Sequence, residues 1–497
     1  MDNILEEPLE FAEVWLGDEY PTKEEAHENV NKRFLYILQT FFRAASMKSK
    51  HNDAMLRIYF HSLLGAYLKE YTMIKPGGVT DLRIPVIWVQ NSGSGKSQLN
   101  KATMDFARRL GVSCTDSTKF TEAGLIGTFD KSKHDYNIKN NLHPGEESMK
   151  MDKLGNQKRV AYQKPIIYGD LHNYDMLFID EAKILFEKSK HTEDILSVLQ
   201  PALDFPGRVR KKLAAEEPIE YDCQGTILAS TVEWSDVGKD IMSQGYFPRC
   251  AFYARNLAIQ EQMEHQADLL RSGNYDENKY NEHLNNFADM FEKHKIPIIR
   301  EKRRIMLDDN CLDLVAIKVE KWFKEIQDNL YGQDAKVVQS LVARMHLFIF
   351  KLAGQMAVVN NKINIKIKNE IVFLAGQEEV EYAFDILDHL FAQLMNNISI
   401  NDTNEDRHLY TTMIAILKVM NDGKITEMSR RDFINKIITL RAVGRHKAQK
   451  MYSNLFTSNY FSEKNVSKEG VVVCPNWSIW HEKDKKIKGV KDAKIDI

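Results

Sequence analysis

The feature that most constrains this fold is an apolar run, Ile84 to Val89, that empties into Gln90-Asn91-Ser92-Gly93-Ser94-Gly95-Lys96-Ser97. A strand running into a Gly-rich turn closed by Gly-Lys-Ser is the P-loop arrangement, in which a helix follows and its N-terminus faces phosphates. Backbone N–H groups of Ser92 to Lys96 can ring the phosphates, Lys96 can reach the β- and γ-phosphates, and the Ser97 hydroxyl suits Mg²⁺. Asn91, Ser92, Gly93, Ser94, Gly95, Lys96, Ser97 and Gln98 are therefore the candidate nucleotide-binding residues. The pattern G-x-x-x-x-G-K-[ST] is met except at its start. There Gln90 stands, and the turn must be made without a glycine's freedom at positive φ.

The partner of such a loop is an acidic residue closing a buried strand, and Met176-Leu177-Phe178-Ile179-Asp180-Glu181 supplies one. Four apolar residues make a strand buried on both faces, Asp180 can hold the water shell of Mg²⁺, and Glu181 can polarise the attacking water. The plain alternative is a strand entering a helix that begins Asp-Glu, as helix N-termini favour. Downstream, Thr226-Ile227-Leu228-Ala229-Ser230-Thr231 reads as another buried strand. Its terminal hydroxyls, Ser230 or Thr231, either orient a lytic water or simply begin a turn. In Gly245-Tyr246-Phe247-Pro248-Arg249 one arginine sits among apolar residues. It either pairs with a carboxylate of its own chain or acts as a finger on the γ-phosphate of a neighbouring subunit.

In this order the motifs resemble those of the AAA+ replicative helicases, most closely the minichromosome-maintenance type, over roughly residues 80 to 395. Gly95-Lys96-Ser97-Gln98-Leu99 is similar to that family's lysine-serine-glutamine-leucine run. Phe120-Thr121-Glu122-Ala123-Gly124-Leu125-Ile126-Gly127 resembles its segment leading to a Gly-Leu pair, and Phe178-Ile179-Asp180-Glu181 its Walker B strand. The segment Leu196 to Lys212 stands where the family carries the hairpin that enters the central pore and grips DNA, which implies DNA contacts by Arg208, Arg210, Lys211 and Lys212. Phe247-Pro248-Arg249 falls at the arginine-finger position. Ser340-Leu341-Val342-Ala343-Arg344 resembles the second sensor, an arginine at the start of a lid helix. Two departures matter. The family's first-sensor asparagine is here Ser230 or Thr231, and its N-terminal oligonucleotide-binding and zinc module has no counterpart, because residues 1 to 80 are short and helical and no cysteine pair has ligand spacing. A divergent viral or plasmid member fits these departures.

The fold class expected is α/β: an AAA+ P-loop core with a parallel sheet flanked by helices (81–255), preceded by an N-terminal helical segment (1–80). A helical linker and lid follow (256–400), then a C-terminal winged-helix domain (405–480) and a Lys-rich tail (481–497). Residues 128 to 158 read as an insertion, either solvated or facing DNA. The winged helix is read from three amphipathic segments and a hairpin around Ser467-Lys468-Glu469-Gly470, with Arg445, Lys447 and Lys450 at the start of its third helix as further DNA contacts. A net charge of -2 confines any nucleic-acid surface to local patches. No apolar run approaches the roughly 18 residues of a membrane span. Five scattered cysteines fit reduced thiols in a cytoplasm, the host's if the source is viral.

Taken with the resemblance, these residues imply a homo-oligomeric ring, a hexamer, that hydrolyses ATP with Mg²⁺ between subunits and draws single-stranded or forked DNA through its pore during replication. Primase or other replication proteins would be its partners. One subunit would give Lys96, Ser97, Asp180 and Glu181, the neighbour Arg249, and Arg344 could come from either. Two alternatives remain: an ATP-regulated initiator reading a specific DNA site, and a protein-remodelling ring ATPase, for which Phe205 would be the pore aromatic.

Overall fold

The computed structural model describes residues 21–48, 53–90, 94–116, 121–151, 157–180, 182, 190–211, 218–231, 242, 245–255, 263, 267, 276–294, 302–330, 332–367, 370–398, 416, 420, 427–441, 445, 448–449, 452, 461–466 and 470–475. The apolar runs read from sequence become one sheet. Its strands are β1 (Val86–Gln90), β2 (Cys114–Asp116), β3 (Met176–Ile179), β4 (Thr226–Thr231) and β5 (Ala251–Arg255), in the order β5-β1-β4-β3-β2. Every pairing is parallel, so all the C-terminal strand ends open on one edge. β1, β3 and β4 are buried at every position, as strands covered on both faces must be. β4 pairs with both β1 and β3, Ala229 facing Ile87 on one side and Ile179 on the other. The P-loop strand and the strand leading to Asp180 are thus two strand spacings apart, about 10 Å. The strand between them carries Ser230 and Thr231.

Helices α1 (Val30–Lys48), α2 (Asp53–Tyr67), α3 (Lys96–Arg109) and α4 (Glu277–Lys293) pack together. The aromatic residues spaced along α1 and α2 form the seam: Phe34 meets Phe60, Phe41 meets Phe106 of α3, and Phe106 meets Phe287 of α4 with ring centroids 4.6 Å apart. Each such pair adds about 0.5–1.5 kcal/mol beyond area burial. α2 is apolar around most of its circumference and buried from Ala54 to Ala66, because it lies against the sheet on one side and other helices elsewhere. Gly65 lets it approach so closely that a Cβ there would stand 2.4 Å from the Leu82 carbonyl oxygen.

The segment expected as a helical linker and lid also contributes strands. A second five-stranded sheet runs in the order Ile363–Ile367, Glu370–Ala375, Lys302–Leu307, Thr72–Lys75, Gly78–Thr80. Lys75-Pro76-Gly77-Gly78, legible in sequence as a helix stop, is the turn of its edge hairpin, with Gly77 at φ 81°. Helix α5 (Met345–Val359) covers this sheet and is buried at thirteen of its positions. Asp334–Val359 is the one stretch among the described residues long and apolar enough to cross a membrane, and 78% of its most apolar window is buried within the protein.

The chain divides into two compact units, residues 1–328 with 337–397, and 329–336 with 398–497. In the second, Phe461–Val466 and Gly470–Pro475 form an antiparallel hairpin with Met428–Ser429 on the free edge of the latter strand. Helix Arg430–Arg441 packs against it through Phe433, which meets Phe461 and Tyr452 edge-on. Of the third helix expected here, Arg445, Ala448, Gln449 and Tyr452 are described and helical, whereas Lys447 and Lys450 lie outside the described residues.

Candidate nucleotide site

Gln90, where a glycine was expected, keeps an ordinary strand conformation paired to Arg255. Among the described residues of the loop the left-handed conformation falls at Gly95 (φ 79°), and Gln90 itself adopts none. The Gln90 side chain is occupied by the Trp88 indole, which donates to its Oε1 at 2.6 Å. Gly95 is the N-cap of α3 and provides no side-chain cap. This 14-residue helix thus begins without a side-chain cap, with the positive end of its dipole at the start. Ser97 and Gln98 are exposed on this first turn and Ser94 is buried. Asn91, Ser92 and Gly93 lie outside the described residues.

Lys96 Nζ donates to the Gln90 carbonyl oxygen and stands 3.4 Å from Ser94 Oγ. Burial lowers its pKa to about 8, against the opposing pull of Asp180. A half-buried ammonium whose burial outweighs the nearest carboxylate, beside an uncapped helix N-terminus, fits phosphate oxygens.

Asp180 follows β3 and is fixed from two sides. Ser230 Oγ and Asn100 Nδ2 each donate to its Oδ1 at 2.9 Å. Register explains the choice between the two hydroxyls: Ala229 pairs with Ile179, so the next residue on each strand, Ser230 and Asp180, come together. Thr231 is buried alongside Val89. Glu181 lies outside the described residues. Asp116, at the tip of β2, is raised in pKa by burial and then by the Asp180 charge, which places a second carboxyl on the same edge. Among the described residues no group of three or more His, Cys, Asp or Glu side chains is close enough to cage a metal. Mg²⁺ keeps several waters and takes substrate oxygens, and the groups of this chain that could contribute to holding it are the Ser97 hydroxyl and the Asp180 carboxylate.

Arg249 and Arg344 are not at this edge. Arg249 precedes β5, whose first residue pairs with Val86 at the start of β1. It therefore sits a strand length, about 16 Å, from the loop end of the sheet. Of the two alternatives for Arg249, the intrachain pair is the one present: its Nε and Nη2 each donate to Asp204 at 2.7 Å, and the side chain is only 7% exposed. Arg344, the N-cap of α5, stands 3.4 Å from the same carboxylate. Burial raises the Asp204 pKa, but the two arginines outweigh it and hold the carboxyl below its usual range.

The expected pore hairpin is Arg208–Lys211 paired with Ile219–Asp222. Val209, Ile219 and Tyr221 are buried on one face. On the other, Arg208 faces Asp222 at 3.7 Å and Arg210 faces Glu220 at 3.9 Å. These two exposed pairs are worth about 0–1 kcal/mol and exchange readily for phosphate. Lys211 lies opposite Ile219, on the face of Val209, and reaches Glu122 at 3.0 Å in a pair that is largely covered. Lys212 lies outside the described residues. At the hairpin base is a residue the sequence did not single out. Arg83 is 3% exposed, bonds Asp81 at 2.5 Å, and donates to the carbonyl oxygens of Ala202, Asp204, Cys223 and Gly225. Lys351 of α5 completes the cluster, 3.0 Å from Asp81 and 2.7 Å from the Arg83 carbonyl oxygen. Gly207 is obligatory at this crossing, where a Cβ would stand 2.2 Å from the Cys223 oxygen.

Asn100, Asp204 and Arg83 are thus residues of these clusters that the motifs did not mark. Only Asn100 left a trace in sequence, one helical turn after Lys96 and so on the same face of α3. No protein-family model matches this chain, and no curated protein does either.

Proposed function

We propose that this protein is an ATP-driven, ring-forming DNA helicase or translocase of replication, with ATP hydrolysed between subunits and single-stranded DNA moved through the pore. The observation that carries the nucleotide half is the meeting of Lys96, the uncapped start of α3 and the Asp180–Ser230 pair on one edge of a parallel sheet. In favour of the ring, Arg249 and Arg344 lie about a strand length from Lys96, so a nucleotide that they serve belongs to a neighbour, and Arg249 would first have to leave Asp204. Lys96 would hold the β- and γ-phosphates, Ser97 and Asp180 the cation, and Ser230 would keep the Asp180 carboxylate in place. Mg²⁺ would supply counter-charge to the phosphate oxygens as the terminal bond lengthens. Glu181 would orient water, and a neighbour's Arg249 would stabilise the charge that develops on the γ-phosphate. A cytoplasmic setting, a hexamer and partners such as primase belong to the same proposal. Protein remodelling is the second reading. Phe205 favours it, being 37% exposed, although it lies at the hairpin base rather than its tip.

The deciding experiment is ATP hydrolysis by wild type and Glu181→Gln, with and without single-stranded DNA, beside fork unwinding. DNA-stimulated hydrolysis and unwinding that are both lost in a variant still binding ATP support the motor. Hydrolysis indifferent to DNA, with forks left closed, rejects it.

Two further outcomes are expected. Nucleotide affinity should be flat below pH 8 and weaken up to tenfold per pH unit above it, because Lys96 without nucleotide loses its proton near 8 whereas a phosphate-bound ammonium keeps it. A fluorescent ATP analogue titrated across pH 7 to 9.5 reads this, and an affinity constant over that range discards Lys96 as the phosphate ligand. On DNA, Arg208→Ala with Lys211→Ala should flatten the plot of log affinity for single strands against log salt by about 1.4, since each phosphate that a side chain neutralises is worth ~0.7 of slope. An unchanged slope removes the hairpin from the DNA path.

A further inference from the structure

Asp180 is reached by a hydrogen-bond chain that begins in the N-terminal helices. Tyr59 of α2, fully buried, lies 2.9 Å from Asn100 Oδ1, and Asn100 Nδ2 lies 2.9 Å from Asp180 Oδ1. Chemistry gives the chain one direction. An ionised carboxylate only accepts, so the amide nitrogen of Asn100 must face it, and the amide oxygen is left to accept from the Tyr59 hydroxyl. Flipping the amide would set its oxygen against the Asp180 carboxylate, two acceptors facing each other. Asn100 is 2% exposed and Ser230 1%, so these bonds act in a low dielectric where losing one partner is costly. Both donors end on Oδ1, which leaves Oδ2 as the oxygen of Asp180 not engaged by them. Lys96 and Asn100 share one face of α3 a turn apart. Tyr59 also packs edge-on against Trp88 of β1, with ring centroids 5.5 Å apart. α2 therefore touches the strand feeding the loop directly and reaches the aspartate through Asn100.

We propose that Asn100, oriented by Tyr59, is a positioning residue that presents the second oxygen of Asp180 to the nucleotide's cation, and so ties the N-terminal helices to the site. The proposal rests on the nucleotide reading above. It supplies from α3 the amide that the resemblance places on the sensor strand, where this chain carries Ser230.

The test uses the full chain, Mn²⁺ as the cation read by electron paramagnetic resonance, and a non-hydrolysable ATP analogue. Asn100→Leu should weaken Mn²⁺ binding to the analogue complex by ~10- to 100-fold, as loss of an orienting partner does. Metal-free analogue binding should stay within about twofold, because Lys96 and the α3 amides are untouched. Tyr59→Phe, which keeps the ring packing, should shift Mn²⁺ affinity the same way by a smaller factor, and it decides the matter should Asn100→Leu fail to fold. Unchanged Mn²⁺ affinity in either folded variant overturns the positioning role while leaving the nucleotide reading intact. A wild type that binds no analogue removes that reading and this proposal with it.

Discussion

Replacing Lys96 by Met should lower ATP hydrolysis on the order of 10³-fold, the scale on which phosphoryl transfer depends on a single phosphate-clamping cation, without lowering the melting temperature. The two halves of this result have one cause. In the unfolded chain a lysine titrates near ~10.4, whereas burial brings Lys96 down to about 8 in the fold. A folded value below the unfolded one means that the charge costs stability. The cost is present in full below pH 8 and fades as pH rises from 8 toward ~10.4. At neutral pH, Met keeps the packing of the lysine stem and removes that cost. Matched thermal melts at pH 7 and 9.5 check the sign: any gain of the variant over wild type should shrink at the higher pH. A variant that melts well below wild type at pH 7 would show Lys96 to be a structural cation, and undiminished hydrolysis would remove it from the site.

Arg83→Met should cost about 3–5 kcal/mol of folding stability, the range for stripping one partner from a buried ionic cluster. Asp81, Arg83 and Lys351 are each less than a tenth exposed. Burial pushes the Asp81 carboxyl up, but Lys351 and Arg83 outweigh this and hold it below its usual range. Loss of Arg83 also strands four carbonyl oxygens, at Ala202, Asp204, Cys223 and Gly225, that converge on its two terminal nitrogens. Lysine would not replace it, since a point ammonium cannot fan out to four acceptors and a carboxylate. Urea unfolding gives the magnitude, and hydrogen exchange at residues 219–223 gives the place. Protection there should collapse first, because the hairpin loses its anchor to the segment before β1. A loss under about 1 kcal/mol would mean that the base is held by packing instead.

How much of this was legible depended on whether a signal was local. Ile84 to Val89 and Met176 to Ile179 announce themselves as continuous apolar runs, and they became β1 and β3, parallel and buried. Ser230 and Thr231 could not be separated by composition, and only register, which depends on β3, selects Ser230 as the neighbour of Asp180. The second sheet was illegible because its strands come from three distant segments, one of them the charged stretch Lys302-Arg303-Arg304. Long-range pairing of that kind leaves no periodic trace in any window. Arg83 and Asp204 were silent for a similar reason: each reads as an ordinary surface charge until distant chain closes over Arg83 and brings two arginines to Asp204. Gln90 gave a misleading signal, since the pattern calls for glycine there and the strand simply runs one residue further.

The sheet has chemically unlike ends. One edge carries Lys96, Asp180 and the bare start of α3, and the other carries two arginines sharing one carboxylate. Under the proposed function each nucleotide needs both kinds of end, so neighbouring subunits must meet with unlike ends together. A twofold axis achieves this only side by side with the sheets antiparallel, which completes both sites and closes the assembly at two. Head-to-tail association instead leaves one end of each kind open, and it gives a closed ring if the rotation between neighbours divides a full turn and an open filament if it does not.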